Sequence, residues 1–311
     1  MENQTIFKEL FLSGLSDLAA LQFPLFLSFL LIYLLTLIWN LLIIGLIVTD
    51  SHLHVPMYFF LGILASLDFC TSSVSVPRML FDLHTNKKEI TITACMTQVF
   101  FFLLFITSEA FLLAAMSYDR YMAICHPLRY TQIMSWKVCV QLVSFVLCLS
   151  FTYTLVHMVY ALKLTFCASV IIESFFCDLP QLFKISCSDS SINILLMLLL
   201  GGLFSGGSLI LTFLSYINIF KIVMKIQIKG KRSKVFSTCT SHLTVVFMFY
   251  GSGSFNYFQP NANHHYTGDK WVAVCYTVIL PLLNPLIYSL RNQDIRTAFR
   301  DTLLKKTFQA K

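Results

Sequence analysis

Residues 116–130 read Met-Ser-Tyr-Asp-Arg-Tyr-Met-Ala-Ile-Cys-His-Pro-Leu-Arg-Tyr and end a long apolar run that begins near Cys95. Asp119 and Arg120 stand side by side at the end of that run. Headgroups and water can anchor charged side chains where a helix leaves a bilayer. Aromatic residues flank the pair, and Pro127 follows within two turns and ends the helix. The stretch therefore predicts the inner end of a membrane-spanning helix.

The composition extends this interpretation to the whole chain. Of 311 residues, 57% are hydrophobic and only 12% are charged, and the mean hydropathy is +0.75. A soluble globular protein carries roughly twice that charged fraction. A helix needs about 20 apolar residues to cross a bilayer. By that rule the sequence predicts an all-α membrane protein with seven spans, at residues 24–49, 57–81, 94–119, 137–160, 192–220, 235–258 and 271–291.

The chain is predicted to be one seven-helix domain, residues 1–311, with its N-terminus outside. Residues 1–23 form the extracellular tail, 24–291 the spans and loops, and 292–311 the cytoplasmic tail. Most of the 22 Lys and Arg residues fall on the inner side of this topology, as an external N-terminus requires. These basic tracts are expected to face lipid headgroups and a protein partner, not nucleic acid. Charged and apolar residues alternate over 293–306, which predicts a short interfacial helix.

Asn40, Asp68 and Glu109 are strongly polar residues inside the predicted spans. A carboxylate in a bilayer is expensive unless it is paired, protonated or functional. One hypothesis places Asp68 and Glu109 face to face, with Asn284 nearby, around a sodium ion or a shared proton. The alternative is that each carboxylate caps a separate buried polar cluster. Apart from sodium, we expect no metal and no cofactor.

Four cysteines lie on the predicted outer side: Cys95, Cys167, Cys177 and Cys187. The last three are evenly spaced, whereas a zinc site needs close pairs of cysteines. In an oxidising compartment four cysteines can form two disulfides, and the sequence alone allows three pairings. Asn3 begins an N-glycosylation tripeptide, Asn-Gln-Thr, in the outer tail.

Further motifs occur in order along the spans. Residues 53–61 read Leu-His-Val-Pro-Met-Tyr-Phe-Phe-Leu, residues 175–180 Phe-Phe-Cys-Asp-Leu-Pro, residues 234–243 Lys-Val-Phe-Ser-Thr-Cys-Thr-Ser-His-Leu and residues 284–292 Asn-Pro-Leu-Ile-Tyr-Ser-Leu-Arg-Asn. With the 116–125 stretch, they closely resemble the signatures of olfactory (odorant) receptors, a branch of the rhodopsin-like G-protein-coupled receptors. The resemblance covers residues 1–308. The chain departs from the family at Trp39, where Gly is usual, at Ala65, where Ser is usual, and at Val235, where Ala is usual.

The resemblance implies a plasma-membrane receptor, not an enzyme, in which an odorant activates a stimulatory heterotrimeric G protein and raises cyclic AMP. It also implies the pairings Cys95–Cys177 and Cys167–Cys187. Arg120 would be held by Asp119 at rest and released on activation, when Tyr216 and Tyr288 turn inward. The switch residues are then Asp119, Arg120, Tyr121, Tyr216, His242, Asn284, Pro285 and Tyr288.

The family's ligand positions imply a site in the outer half of the bundle. The residues at these positions are Phe102, Leu103, Ile106, Thr107, Phe204, Tyr250, Ser254, Tyr257 and Thr277. None of them is Lys, Arg or His, so a carboxylate ligand would lose its hydration without gaining a partner. We therefore expect a small neutral volatile with an apolar body and one or two oxygens, anchored by Tyr257, Ser254 or Thr107.

Three other kinds of protein are alternatives to an odorant receptor: an ion transporter or channel, an intramembrane hydrolase and a non-olfactory receptor. Asn40, Asp68, Glu109 and Asn284 could line the path of an ion transporter or channel, but the sequence shows no internal repeat with paired interrupted segments. An intramembrane hydrolase would need a Ser/His/Asp or paired-His arrangement, and none recurs on adjacent spans. A non-olfactory chemosensory receptor is an alternative within the same receptor class.

Overall fold

The computed structural model describes residues 9–15, 18–85, 87–166, 171–225, 229–257 and 267–309. In chain order its helices and strands are β1 (Glu9–Leu12), α1 (Ala19–Thr49), α2 (Pro56–Thr85), β2 (Glu89–Thr91), α3 (Ile92–Cys125), α4 (Pro127–Ile133), α5 (Trp136–Ala161), β3 (Ile171–Ile172), α6 (Leu179–Ile185), α7 (Ser191–Val223), α8 (Lys229–Tyr257), α9 (Thr267–Val274), α10 (Leu280–Arg291) and α11 (Gln293–Gln309). A π-helical segment, Cys275–Ile279, joins α9 directly to α10.

The seven predicted spans correspond to α1, α2, α3, α5, α7, α8 and the continuous helix formed by α9, the π segment and α10. Within the described ranges, six of these are long and apolar enough to cross a membrane. The other, α8, has 29 residues and begins in the basic stretch Lys-Gly-Lys-Arg that precedes its apolar part. Several helices outrun the predicted spans because a helix can continue past the apolar core of a bilayer. The α3 helix, for example, ends at Cys125 rather than at residue 119.

Two sequence features expected to interrupt spans behave differently. The glycine pairs 201–202 and 206–207 lie inside an unbroken α7, because a glycine inside a helix costs only about 1 kcal/mol and removes no hydrogen bond. Pro281, in contrast, lacks an N–H group and cannot complete the ladder of backbone hydrogen bonds. Just before it, the N–H of Leu280 donates to the carbonyl of Cys275, five residues back. The local π geometry therefore accommodates the proline.

The α3 helix lies at the centre of the bundle, where it packs against α2, α5, α7 and α8. Its Phe102, Leu112 and Leu113 are fully or almost fully buried. The peripheral helices instead turn large apolar side chains outward, as Leu203 of α7 and Phe145 of α5 do. Such a surface suits hydrocarbon and not water, in agreement with the predicted membrane protein.

One end of the bundle, here called the disulfide end, carries the bond between Cys95 of α3 and Cys177. A three-stranded sheet in the order β2-β1-β3 covers this end. Strand β1 pairs antiparallel with β2 and parallel with β3, and its Leu10 and Leu12 are fully buried. Strand β1, residues 9–12, lies within the segment predicted to be the extracellular tail, for which the sequence predicted no secondary structure.

The opposite end, here called the Arg120 end, carries α4 and α11. The predicted interfacial helix is present as α11, which buries Ile295 and Ala298 against the bundle. Tyr58, at the start of α2, donates its hydroxyl hydrogen to Asp294 Oδ2 at 2.8 Å or to Asn292 Oδ1 at 3.0 Å. This contact ties α11 to the first turn of α2.

Candidate functional site

A cavity of about 120 Å³ lies between α3, α5, α7 and α8, towards the disulfide end. Its lining is mostly aromatic and aliphatic, with several hydroxyl groups. The lining residues are Leu103, Ile106, Thr107, Ala110, Phe111, Tyr153, Met197, Gly201, Phe204, Ser205, Phe249, Tyr250, Gly253, Ser254, Tyr257 and Tyr276. None of these side chains carries a charge. Sites for small molecules are commonly lined in this way, by apolar and aromatic side chains with a few polar groups.

The structure brings seven of the nine predicted ligand residues to this cavity: Leu103, Ile106, Thr107, Phe204, Tyr250, Ser254 and Tyr257. The other two, Phe102 and Thr277, lie outside the lining. Phe102 is turned about 100° from Leu103 around α3, and its ring packs against Phe176 at 5.0 Å. The hydroxyl of Thr277 donates to the carbonyl of Ala273 within its own helix. The neighbouring residue, Tyr276, lines the cavity in its place.

Sequence reasoning missed the wall supplied by α5 and the middle of α7. Tyr153 of α5 and Gly201 of α7 both line the cavity. No sequence motif in α5 singles out Tyr153. One signal was present: Ser150, Thr154 and His157 recur at helical spacing on α5, and all three are buried. That buried polar face indicates that this part of α5 turns toward the bundle.

A buried aspartate joins the loop before α6 to the roof of the cavity. Asp178 is only 3% exposed and caps α6 by accepting from the backbone N–H of Leu179 at 2.8 Å. Its carboxylate also accepts from the hydroxyl of Tyr257 at 2.9 Å, from Asn256 Nδ2 at 3.1 Å and from the hydroxyl of Tyr276 at 3.4 Å. We call Asp178, Asn256, Tyr257 and Tyr276 the Asp178 cluster.

Burial raises the pKa of Asp178 to about 6, while the hydrogen bonds that its carboxylate accepts act in the opposite direction. Asp178 was not among the predicted site residues, although its Phe-Phe-Cys-Asp-Leu-Pro motif was noted. Its contacts also correct the expected role of Tyr257. A phenol has one proton to donate, and that of Tyr257 goes to Asp178. Tyr257 is therefore not a free donor for a ligand.

A second buried polar group lies in the middle of the bundle. Asn284 of α10 donates to both carboxylate oxygens of Asp68, at 2.9 and 3.1 Å. Glu109 accepts from the Thr71 hydroxyl at 2.7 Å, and Asn40 donates to the carbonyl of Pro281 at 3.0 Å. The amide oxygens of Asn40 and Asn284 are buried and have no hydrogen-bond partner within the described ranges. We call Asn40, Asp68, Glu109 and Asn284 the Asp68 cluster.

The Asp68 cluster has features that both predicted arrangements require. Both carboxylates are buried, at 0% and 2% exposure, and each also has its own neutral partner. Carboxylate and amide oxygens are suitable ligands for a hard cation. The amide oxygen of Asn284, which has no hydrogen-bond partner among the described residues, is a ligand of this type, and the sodium ion itself stays a prediction. Among the described residues, no group of three or more His, Cys, Asp or Glu side chains lies close enough together to hold a metal ion.

At the Arg120 end the predicted ion pair is replaced by another contact. Asp119 is buried and accepts from the Tyr130 hydroxyl at 2.8 Å. Among the described residues, no ion pair joins Asp119 to Arg120. The α4 helix turns back beside α3, which places Tyr130 beside Asp119, and a sequence pattern carries no sign of that turn. The hydroxyl oxygen of Tyr121, another predicted switch residue, lies 3.1 Å from Nε2 of His126.

The remaining switch residues meet in the inner half of the bundle. The Tyr216 hydroxyl lies 2.9 Å from His242 Nδ1, and the two rings are stacked. Tyr288 lies on the other side of His242, with ring centroids 6.4 Å apart. Its hydroxyl is buried and finds no hydrogen-bond partner in the described part of the chain. Pro285, buried within α10, follows Asn284 in this cluster of helices.

The structure confirms the Cys95–Cys177 disulfide implied by the resemblance. Cys187 is also disulfide-bonded, while Cys167, its predicted partner, lies outside the described residues. Asn3, the predicted glycosylation site, lies outside them too. Both the second pairing and the glycan therefore stay predictions.

Comparison with known proteins identifies close relatives. The family model described as "Olfactory receptor" matches residues 29–306. Human "Olfactory receptor 5B12" is 46% identical over 305 residues, covering 98% of this chain and 97% of the relative. Mouse "Olfactory receptor 8B8" is 43% identical over 307 residues, covering 99% of each. The crystal structure of squid rhodopsin superimposes with a TM-score of 0.69 at 20% identity, covering 93% of this chain and 87% of that one. At that identity the likeness concerns the fold, a seven-helix membrane bundle.

Proposed function

Since the chain belongs to the olfactory receptor family, we propose that it binds a small, mostly neutral volatile in the cavity between α3, α5, α7 and α8. Binding activates a stimulatory heterotrimeric G protein of the olfactory type, which raises cyclic AMP. The observation that carries the proposal is the cavity itself, which is lined by aromatic and aliphatic side chains and by no charged residue. A carboxylate ligand would lose its hydration there without an ionic partner.

The size of the cavity limits the ligand further. An engineered cavity of about 150 Å³ in another protein takes up benzene, and the cavity of this receptor measures about 120 Å³. A ligand about as large as a single six-membered ring fits the resting arrangement. Larger odorants require side chains such as Met197 to move, which a flexible thioether does readily.

The receptor is proposed to lie in the plasma membrane with the disulfide end outside. Disulfides persist in oxidising compartments, and Cys95–Cys177 lies at that end. Lys221 at the end of α7, Arg232 at the start of α8 and Arg296 of α11 lie at the other end, as the positive-inside rule requires. Asn3 would then carry its glycan on the outer side.

Activation is proposed to release the contacts that hold the Arg120 end closed. In the resting arrangement Asp119 is held by Tyr130, and Tyr216 by His242. A ligand shifts this balance only through its preference for the open arrangement. Once α8 moves outward, Arg120, Tyr216 and Tyr288 become available to the G protein. A sodium ion or a shared proton in the Asp68 cluster would stabilise the resting arrangement.

The G protein is proposed to contact α4 in addition to Arg120. Leu128 of α4 is 93% exposed, between Pro127 and the positively charged Arg129 at the predicted cytoplasmic face. An apolar side chain presented in this way can act as the anchor of a protein interface. Lys and Arg around it favour encounter with an acidic surface.

The experiment is a screen of neutral volatiles with a cyclic-AMP readout in cells that carry the receptor on their surface. At least one neutral compound should give a dose-dependent response. Arg120→Ala and Leu128→Ala should abolish or strongly reduce that response and leave both surface level and ligand binding intact. An ion current that appears without any G protein would instead favour a channel. A full response in Arg120→Ala would remove Arg120 from the mechanism.

A further inference from the structure

The hydroxyl groups around the cavity differ in whether their protons are already used. A hydroxyl carries one proton. Thr107 donates to the carbonyl of Leu103, Ser205 to the carbonyl of Gly201, Tyr250 to the carbonyl of Ala110, and both Tyr257 and Tyr276 to Asp178. These five hydroxyls can accept a hydrogen bond from a ligand but cannot donate one without breaking a contact of the protein.

Two lining hydroxyls are different, those of Tyr153 and Ser254. Neither makes a hydrogen bond to any other residue within the described ranges. Ser254 is an exposed residue in the last turns of α8, so water competes for its hydroxyl. Tyr153 is partly buried in the wall of the cavity. An unused donor in an apolar wall discriminates more strongly between ligands than one in contact with water.

The ring of Tyr153 packs against two other aromatic rings. Phe204 packs against it edge-on, with ring centroids 5.8 Å apart. His157, one turn away on α5, packs against it at a tilt, with ring centroids 4.4 Å apart. Such aromatic contacts favour defined ring orientations. The hydroxyl therefore has a fixed position on the cavity wall.

Gly201 keeps the space beside that hydroxyl open. The hydroxyl oxygen of Tyr153 lies 3.4 Å from where a Cβ atom of residue 201 would be, and Gly201 itself lines the cavity. An added Cβ would be in van der Waals contact with the hydroxyl and would occupy the space beside it. With glycine, an acceptor atom of a ligand can approach the phenol from inside the cavity.

We infer that Tyr153 donates the hydrogen bond that orients the ligand, in a niche kept open by Gly201. This inference rests on the proposed function and specifies its ligand. The site then selects small neutral compounds with one accessible acceptor oxygen, such as ketones, aldehydes and esters. Hydrocarbons of the same shape leave the Tyr153 donor unpaired and bind less tightly. Tyr153 and not Tyr257 becomes the residue that recognises oxygen.

The test uses pairs of probes that differ only in a carbonyl oxygen: cyclohexanone with methylenecyclohexane, and 2-pentanone with 2-methyl-1-pentene. Binding to the purified full-length receptor in nanodiscs is followed by saturation-transfer NMR, with empty nanodiscs subtracted. The wild type should bind each ketone about ten-fold more tightly than its alkene, as expected for one hydrogen bond in an apolar site. Tyr153→Phe should remove this preference by weakening the ketone alone. Tyr160→Phe makes the same chemical change on the same helix, outside the cavity lining, and should preserve it.

A second pair of variants covers the case in which Tyr153→Phe does not fold. Gly201→Ala should weaken the ketones more than the alkenes. Gly202→Ala, where an added Cβ meets nothing within 4 Å, should bind like the wild type. A ketone preference that persists unchanged in Tyr153→Phe and Gly201→Ala overturns this inference and leaves the proposed function standing. Failure of the wild type to bind any of the four probes contradicts the proposed ligand class as well.

Discussion

The Asp178 cluster at the disulfide end and the Asp68 cluster in the middle of the bundle each bury a carboxylate, but they satisfy it differently. Asp178 accepts from one backbone N–H and from three side chains on two other segments. Among the described residues, Asp68 accepts hydrogen bonds only from Asn284. Buried amide oxygens of Asn284 and Asn40 in the same cluster stay without partners in the described residues. The hydrogen bonding of the Asp178 cluster is therefore more complete than that of the Asp68 cluster.

The difference indicates which part of the receptor holds still and which part moves. A fully satisfied buried network favours one arrangement strongly, because any change leaves donors unpaired. A partly satisfied network loses little on rearrangement and can gain partners elsewhere. The roof of the cavity is therefore the rigid part. The Asp68 cluster and the nearby unpartnered Tyr288 hydroxyl lie where a conformational change is least opposed.

The strongest way to break this contrast is Asp178→Ala. The substitution leaves Asn256, Tyr257 and Tyr276 without their acceptor, and we expect the free energy of unfolding to fall by about 3 kcal/mol. Thermal unfolding of the receptor in nanodiscs measures the effect. The control is Asp189→Ala, which removes an exposed carboxylate that, within the described ranges, accepts only from nearby Ser191. Equal losses in the two variants would show that the Asp178 cluster does not hold the roof.

Substitution of the carboxylates in the Asp68 cluster should raise the free energy of unfolding instead of lowering it. Replacing both carboxylates, as Asp68→Asn with Glu109→Gln, removes buried charge that is incompletely paired. In sodium-free buffer this should stabilise the receptor by on the order of 2 kcal/mol. Sodium chloride should raise the unfolding temperature of the wild type relative to choline chloride, and should not affect the double variant. A wild type that ignores sodium in both unfolding and signalling would favour a shared proton. Destabilisation of the double variant would contradict the contrast.

A smaller effect comes from pH. Because the pKa of Asp178 is raised from an ordinary 3.8 to about 6, the folded receptor holds this proton more tightly than the unfolded chain does. Its contribution to stability therefore grows on acidification through pH 6 and is lost as the pH rises. Between pH 7 and pH 5 the gain should be about 1 kcal/mol relative to Asp178→Asn, which does not titrate. Unfolding temperatures of both proteins at the two pH values measure it, and parallel pH profiles would refute it.

The smallest expected effect distinguishes two tyrosines beside His242. Tyr216→Phe removes a hydroxyl that lies 2.9 Å from His242 Nδ1 and should cost about 0.5–1 kcal/mol. Tyr288→Phe removes a buried hydroxyl that makes no hydrogen bond in the described residues and should leave the resting receptor equally stable. Both variants should signal less if both hydroxyls are used in the active arrangement. A loss of stability in Tyr288→Phe alone would reverse the assignment.

Local sequence patterns were sufficient for those features that depend on composition and helical spacing. The seven helices follow from apolar length, and seven cavity residues follow from their spacing on α3, α7 and α8 together with the family's ligand positions. The patterns could not supply contacts that depend on the path of a loop. Tyr130 reaches Asp119 because α4 folds back, and Asp178 reaches Tyr257 because the loop crosses over the cavity. Neither path leaves a periodic signal.

The same limit explains the strand in the N-terminal segment. Residues 9–12 alternate exposed and buried, but four residues are too few to predict a strand, particularly when both pairing partners lie far along the chain. The contact between Tyr257 and Asp178 was not predicted for a related reason. Its hydroxyl was assigned to a ligand because the residue type suited the role, while its actual acceptor comes from a distant loop.

The sheet at the disulfide end also has a consequence for biosynthesis. Phe11 of β1 pairs with Ile171 of β3, so the first strand to leave the ribosome cannot complete its pairing until half of the receptor has been made and inserted. Pairing of such distant segments is slow, because loop closure precedes any gain from contact. During that interval β3 cannot cover the apolar Leu10 and Leu12, which are fully buried in the folded receptor. The order of synthesis therefore delays the complete burial of these two side chains until α3 and α5 have been made.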